Sequence, residues 1–203
     1  MGKIAQNKKA KEEALFRTAF ELFTTKGIEK TTISDIVEKA GVAKGTFYLY
    51  FKDKSDIRDK LVTYETGRLF YRAHKALDQT EIQGFENKLF FIIDHILAEL
   101  NNNHPLLEFT SKNLSWGIYR SAYVEHSYGD KERYQFYQAY LQLLEKSEKK
   151  YSCPDLMLFT IIEMVGATGY GCILYQEPVS LEEYMPYLHK AIQGILDRFS
   201  ENA

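Results

Sequence analysis

Apolar residues recur along the chain at spacings of three and four, and no stretch sustains the strict alternation of a half-buried strand. Leu15, Ala19, Leu22 and Phe23 form the first stripe, and Gly27 stops it in the usual position after a helix C-terminus. Thr32 with Asp35 three residues on is a capping-box variant; it starts a short helix striped by Ile33, Ile36, Val37 and Ala40 and broken by Gly41. A third short helix is predicted from about Lys44 to Tyr50. A long one follows from about Lys54 to Leu77, carrying Ile57, Leu61, Tyr64, Leu69 and His74.

Beyond Gly84, the stripe Leu89, Ile93, Ile96, Leu97 and Leu100 predicts an amphipathic helix ended by Asn101, Asn102 and Asn103, with Pro105 suited to the first turn of the next. The stretch from Leu114 to Gly129 has too little periodicity to place. Helix resumes around Lys131 to Lys149, and an apolar segment, Leu156 to Tyr175, opens at Cys153-Pro154-Asp155 and closes at Glu177-Pro178. Ser180 with Glu183 caps a last helix striped by Leu188, Ala191, Ile192, Ile195 and Phe199, which Pro186 is expected to split or restart. The predicted fold class is all-α with about nine helices. Residues 1–53 form an N-terminal helix-turn-helix domain, joined without a Gly/Pro/Ser linker to a helical domain of residues 54–203.

Composition alters this picture at four points. The apolar segment 156–175 is long enough to span a bilayer, but Glu163 near its middle, Thr160 and Thr168 disfavour insertion, so no membrane partner is expected. Cys153 and Cys172 fit neither a disulfide framework nor metal-ligand spacing, and no cofactor motif is present. Residues 1–11 are polar and basic with no apolar run behind them, unlike a secretory signal; the expected location is the cytoplasm. Net charge is −2 overall, yet residues 1–60 hold 13 basic and 9 acidic side chains against 13 and 19 in the rest. A basic N-terminal end favours a polyanion.

The run from Thr32 to Lys54, TISDIVEKAGVAKGTFYLYFKDK, carries the chemistry. Gly41 supplies the positive φ of a tight inter-helix turn, while Ile36, Val37, Ala40, Val42 and Phe47 pack two helices crosswise. Lys44, Gly45 and Thr46 then open a helix of the kind that reads base edges, and Gly45 lets the backbone come close. Tyr48, Tyr50 and Lys54 suit phosphate oxygens. Phe47 and Phe51 fit core packing better than contact with a ligand. The basic residues Lys3, Lys8, Lys9 and Lys11 fit both an arm reaching DNA and a solvated terminus.

This run resembles the TetR family of bacterial regulators, whose DNA-binding domain is marked by a pattern close to T-T-x-x-x-I-A-x-x-A-G-V-S-K-G-T-x-Y-x-Y-F-x-x-K. The likeness spans Thr31 to Lys54 and extends back to Phe23 and Gly27. It implies a symmetric dimer that binds a palindromic double-stranded DNA operator, and a variable C-terminal region that dimerises and holds a small-molecule effector. By the same likeness Thr32, Lys44, Gly45, Thr46, Tyr48, Tyr50 and Lys54 fall on DNA-contact positions. Two departures stand out. Ala43 replaces a common serine and removes a side-chain cap, a loss of roughly 1 kcal/mol of local helix stability, and Ser34 stands where an arginine is frequent.

The homodimer is expected to form through 156–175 and 186–199, whose Gly166, Ala167, Gly169 and Gly171 let another helix approach closely. Phe109, Trp116, Tyr119, Tyr123, Tyr137 and Tyr170 are candidates for the walls of an effector pocket, although aromatics of this kind are more often core. Two other classes stand against a ligand-responsive repressor. One is a helix-turn-helix adaptor acting through protein partners; the other is an all-α enzyme, for which the pair His95 and Glu99 is the only suggestive arrangement and no nucleophile motif exists.

Overall fold

The computed structural model of the protein describes residues 3–111 and 136–201, and among these it has nine α-helices and no strand. They are α1 (Lys3–Thr25), α2 (Ile33–Ala40), α3 (Lys44–Tyr48), α4 (Lys54–Leu77), α5 (Phe85–Asn101), α6 (His104–Ser111), α7 (Phe136–Glu145), α8 (Pro154–Leu174) and α9 (Leu181–Phe199). The chain divides into two compact units, Met1–Tyr64 and Glu65–Ala203, so the division falls inside α4.

The first unit closes on Leu15, Ala19, Phe23, Ile36, Phe47, Phe51, Ile57 and Leu61, all buried. Phe51 sits at its centre: Phe16 meets it edge-on at 5.2 Å, Phe47 lies at 5.4 Å, and the Lys60 ammonium stands 5.3 Å from its ring centroid. Burying the Phe47 and Phe51 rings stabilises the unit by about 2–3 kcal/mol each. The basic N-terminal segment is not an extended arm. It forms the first turns of α1, because residues 3–14 contain no glycine or proline and are mostly strong helix formers.

In the second unit α8 packs against α5, α6 and α9, burying Met157, Leu158, Ile161, Val165, Cys172 and Ile173. Gly169 is one of the points of closest approach: a Cβ there would stand 2.8 Å from Leu97 Cδ2 of α5. Glu86 in the first turn of α5 accepts from Lys149 at 2.8 Å, Tyr151 at 2.9 Å and Gln193 at 3.3 Å, joining the segment before α8 and the helix α9 to α5. Arg72 of α4 grips Glu99 of α5 with two donors, Nε to Oε2 at 3.0 Å and Nη2 to Oε1.

Two expectations about helices change. Pro186 neither splits nor restarts α9, since its missing N–H removes only the bond to the Glu182 carbonyl, and both residues face water. The inner stripe of α9 is Leu188, Ile192 and Leu196, all fully buried; Ala191 is exposed. The described part of the helix expected over Lys131 to Lys149 is Phe136–Glu145, and residues 114–129 lie outside the described range.

Candidate nucleic-acid interface

The helix pair α2 and α3 is built by local rules. The Thr32 hydroxyl accepts from the Asp35 N–H at 3.1 Å and the Asp35 carboxylate accepts from the Thr32 N–H at 2.9 Å, so both halves of the capping box form. At the other end Gly41 sits at φ 68°, and the Val42 N–H returns to the Val37 carbonyl at 3.0 Å. α3 then starts from Ala43 with no side-chain cap, as its methyl requires. What holds so short a helix is Phe47, which is fully buried.

Charge reinforces the arrangement. The Lys26 ammonium donates to Asp35 at 2.6 Å and, with the Thr32 N–H, holds that carboxyl well down, at about 2. A depressed carboxylate stabilises the fold above its unfolded value near 3.8, and this contribution is lost as pH falls through about 2. We expect the Asp35 carboxyl resonance to titrate near 2 and α2 to loosen only in that acid range. A midpoint near 4 in a carbon-detected NMR titration contradicts the capping geometry.

The proposed contact residues separate into an outward group and a tethered group. Lys44, Gly45 and Tyr48 are exposed on α3, Tyr48 by 53%. No heavy atom stands within 4 Å of a Cβ built on Gly45, so the backbone is open to an approaching surface. Thr46 is half-buried, and Thr32 is exposed at the start of α2. Lys44 reaches the Ser34 hydroxyl at 3.5 Å, a weak bond. Tyr50 and Lys54 also serve the fold. The Tyr50 hydroxyl donates to the Lys8 carbonyl at 3.0 Å, which fixes α1 against the segment after α3. Lys54 donates to the Ile28 and Glu29 carbonyls at 2.8 and 3.3 Å, closing the loop between α1 and α2.

The second unit holds a small cavity of about 40 Å³ with wholly apolar walls. Phe70 of α4, Leu89, Ile92, Ile93 and Ile96 of α5, Phe136 of α7, and Leu158, Ile161, Ile162 and Val165 of α8 line it. Phe70 and Phe136 lean together with ring centroids 3.8 Å apart. Of the aromatic candidates, Phe109 is buried, Tyr137 donates its hydroxyl to Asp155, and Tyr170 lies edge-on to Tyr175 at 5.8 Å; none of the three lines this cavity. Trp116, Tyr119 and Tyr123 lie outside the described residues. The lining is largely aliphatic, and its signal was the periodic stripes of α5 and α8 rather than isolated aromatics. His95 and Glu99 do not act as a pair: His95 stacks along Phe91, and Glu99 is engaged by Arg72.

Residues 15–61 match the family model described as "Bacterial regulatory proteins, tetR family". An uncharacterized HTH-type transcriptional regulator of Bacillus subtilis, YvdT, is 33% identical over 140 residues, covering 67% of this chain and 64% of that protein. The fatty acid metabolism regulator protein of the same organism is 31% identical over 109 residues, 54% of this chain and 55% of its own length. The matches therefore span less than two thirds of these relatives. Among solved structures, a TetR-family regulator from Syntrophomonas wolfei superposes with a TM-score of 0.67 at 18% identity, covering 93% of this chain and 96% of that one. FadR of Bacillus subtilis, solved in complex with stearoyl-CoA, superposes with a TM-score of 0.58 at 20% identity over 89% and 96%. These structures share the all-helical fold. Motif, helix order and sequence likeness converge, and the chain belongs to the TetR family of bacterial regulatory proteins.

Proposed function

We propose that the protein is a ligand-responsive transcriptional regulator that binds a palindromic operator as a homodimer, most simply as a repressor released by its effector. The observation that carries this is α3, whose inner face is locked by Phe47 while Lys44, Gly45 and Tyr48 project outward from a basic unit. In this reading Lys44, Gly45 and Thr46 meet the base edges and Thr32, Tyr48 and Lys54 meet phosphates, whereas Tyr50, whose single O–H is given to the Lys8 carbonyl, reaches a phosphate only by leaving that bond. Lys54 uses two donors on the fold and an ammonium has three, so one suffices for a phosphate oxygen. Such a protein works in the cytoplasm, at the nucleoid.

Dimerisation through 156–175 and 186–199 is supported by what those helices leave uncovered. α8 is long and apolar enough to cross a membrane, with mean hydropathy 1.6, yet its outward residues include Glu163 beside Leu156, Phe159 and Ala167. Tyr187, Ala191 and Gly194 lie exposed at helical spacing on α9. A second copy covers such a mixed face better than lipid does. Gly169 approaches α5 and Gly171 approaches the Glu177 carbonyl within the chain, while Ala167, Ala191 and Gly194 are small residues exposed for a partner. Sedimentation at micromolar concentration is expected to give a dimer; a folded monomer contradicts this.

The effector site is assigned to the apolar cavity. At about 40 Å³ it is far smaller than the several hundred Å³ of a typical ligand pocket, so an effector must part its walls. Walls without polar groups suit a hydrocarbon chain, and the likeness to a fatty acid metabolism regulator and to a FadR solved with stearoyl-CoA makes a long-chain acyl group the first compound to test. Phe70 is the link to DNA, because it stands on the same 24-residue helix as Lys54. A chain displacing Phe70 biases α4, and an effector acts only through its preference for one state, so DNA and effector weaken each other by equal factors. Selection from random duplexes tests the core of this reading: a recovered palindrome supports it, and recovery of no sequence above background contradicts it.

A further inference from the structure

We propose that Leu49 is a specificity-determining residue that reads the C5 methyl group of a thymine in the operator's major groove; this rests on the DNA-binding reading above. Leu49 is 77% exposed, more than any other large apolar side chain among the described residues. It is the residue that ends α3, and its φ of −73° and ψ of −21° continue the helical path. Gly45, Tyr48 and Leu49 therefore stand at i, i+3 and i+4 and share one face. The opposite side is committed: Phe47 and Phe51 are buried, and Tyr50 turns its hydroxyl to the Lys8 carbonyl.

A leucine placed there gains nothing from phosphates or from the hydrogen-bonding edges of bases. It gains only by leaving water against another apolar group. The major groove offers one such group, the thymine methyl. The bare backbone at Gly45, one turn earlier with open space around it, lets this face of α3 come close enough for the contact, and Lys44 on the same helix supplies the charge that draws it to the duplex. Burying one methyl-sized group is expected to change affinity about fourfold per half-site.

The test substitutes deoxyuridine for each thymine of a selected operator, symmetrically in both half-sites, because uracil lacks only the methyl. Affinities of the wild-type protein and Leu49→Ala are measured by fluorescence anisotropy, with thermal melts checking that the variant is folded. One position is expected at which deoxyuridine weakens wild type by about fifteenfold for two half-sites, while Leu49→Ala binds the thymine and uracil duplexes equally. If no position responds, or if wild type and Leu49→Ala respond alike, the assignment is overturned and the DNA-binding reading stands. If wild type binds no duplex, both are overturned.

Discussion

Phe47→Ala is expected to abolish specific operator binding while the second unit keeps its helices. Phe47 is fully buried and touches Phe51 and Tyr48, with ring centroids 5.4 and 5.5 Å away. Truncating such a ring removes its burial and leaves a cavity, a combined cost of about 3–5 kcal/mol. A domain of ordinary stability has only about 5–15 kcal/mol in total, so a unit of this size loses most of its margin. α3 loses more than the rest. It is five residues long, lacks a side-chain cap at Ala43 and is far shorter than a helix that holds itself in water. Far-ultraviolet circular dichroism and a mobility shift on the selected operator check this together. Operator affinity within tenfold of wild type would contradict the claim that Phe47 holds the reading helix, whereas loss of all helical signal would contradict the expectation that the second unit keeps its helices without it.

Val165→Phe is expected to leave DNA binding intact and remove the response to effector. Val165 of α8 lines the apolar cavity, so the added ring carbons occupy the space an acyl chain would enter. Overpacking costs about 1–3 kcal/mol, which a melt will register but the fold survives. Effector affinity is expected to fall about a hundredfold, equivalent to ~3 kcal/mol of apolar burial denied to the ligand. Titrating stearoyl-CoA into wild type and variant, each with and without operator, reads both quantities. An effector that binds and releases Val165→Phe as it does wild type would move the site out of this cavity.

What could be read from the sequence was what is decided locally. Thr32, Asp35, Gly41 and Ala43 determine a cap, a turn and a missing cap within one stretch of twelve residues, and each behaves in the structure as its chemistry dictates. Features that depend on distant partners were not legible. Lys54 reads from the sequence as a phosphate ligand alone, and that its ammonium also closes on the Ile28 and Glu29 carbonyls, some 25 residues earlier, is not visible there. Glu99 reads as a partner for His95 by spacing, yet the Arg72 guanidinium from α4 offers two charged donors and wins. The same holds for the cavity: isolated aromatics drew attention, while its walls are the ordinary Ile and Leu stripes of α5 and α8. On α9, Ala191 and Ile195 fit the apolar period as well as Leu196 does, and only the packed helices select Leu196 for the inside.

The central claim is that α2 and α3 bind DNA through phosphate contacts supplied by a basic unit, and the salt dependence of binding tests it most directly. Anisotropy of the selected duplex is measured across a series of KCl concentrations. Each phosphate neutralised releases counterions and contributes about −0.9 to the slope of log affinity against log salt; a dimer with at least two such contacts per half-site gives a slope of about −3.6 or steeper. That slope, with Lys44→Ala making it shallower, is the predicted result. Binding indifferent to salt, or confined to a protein partner while duplexes are ignored, would contradict the account.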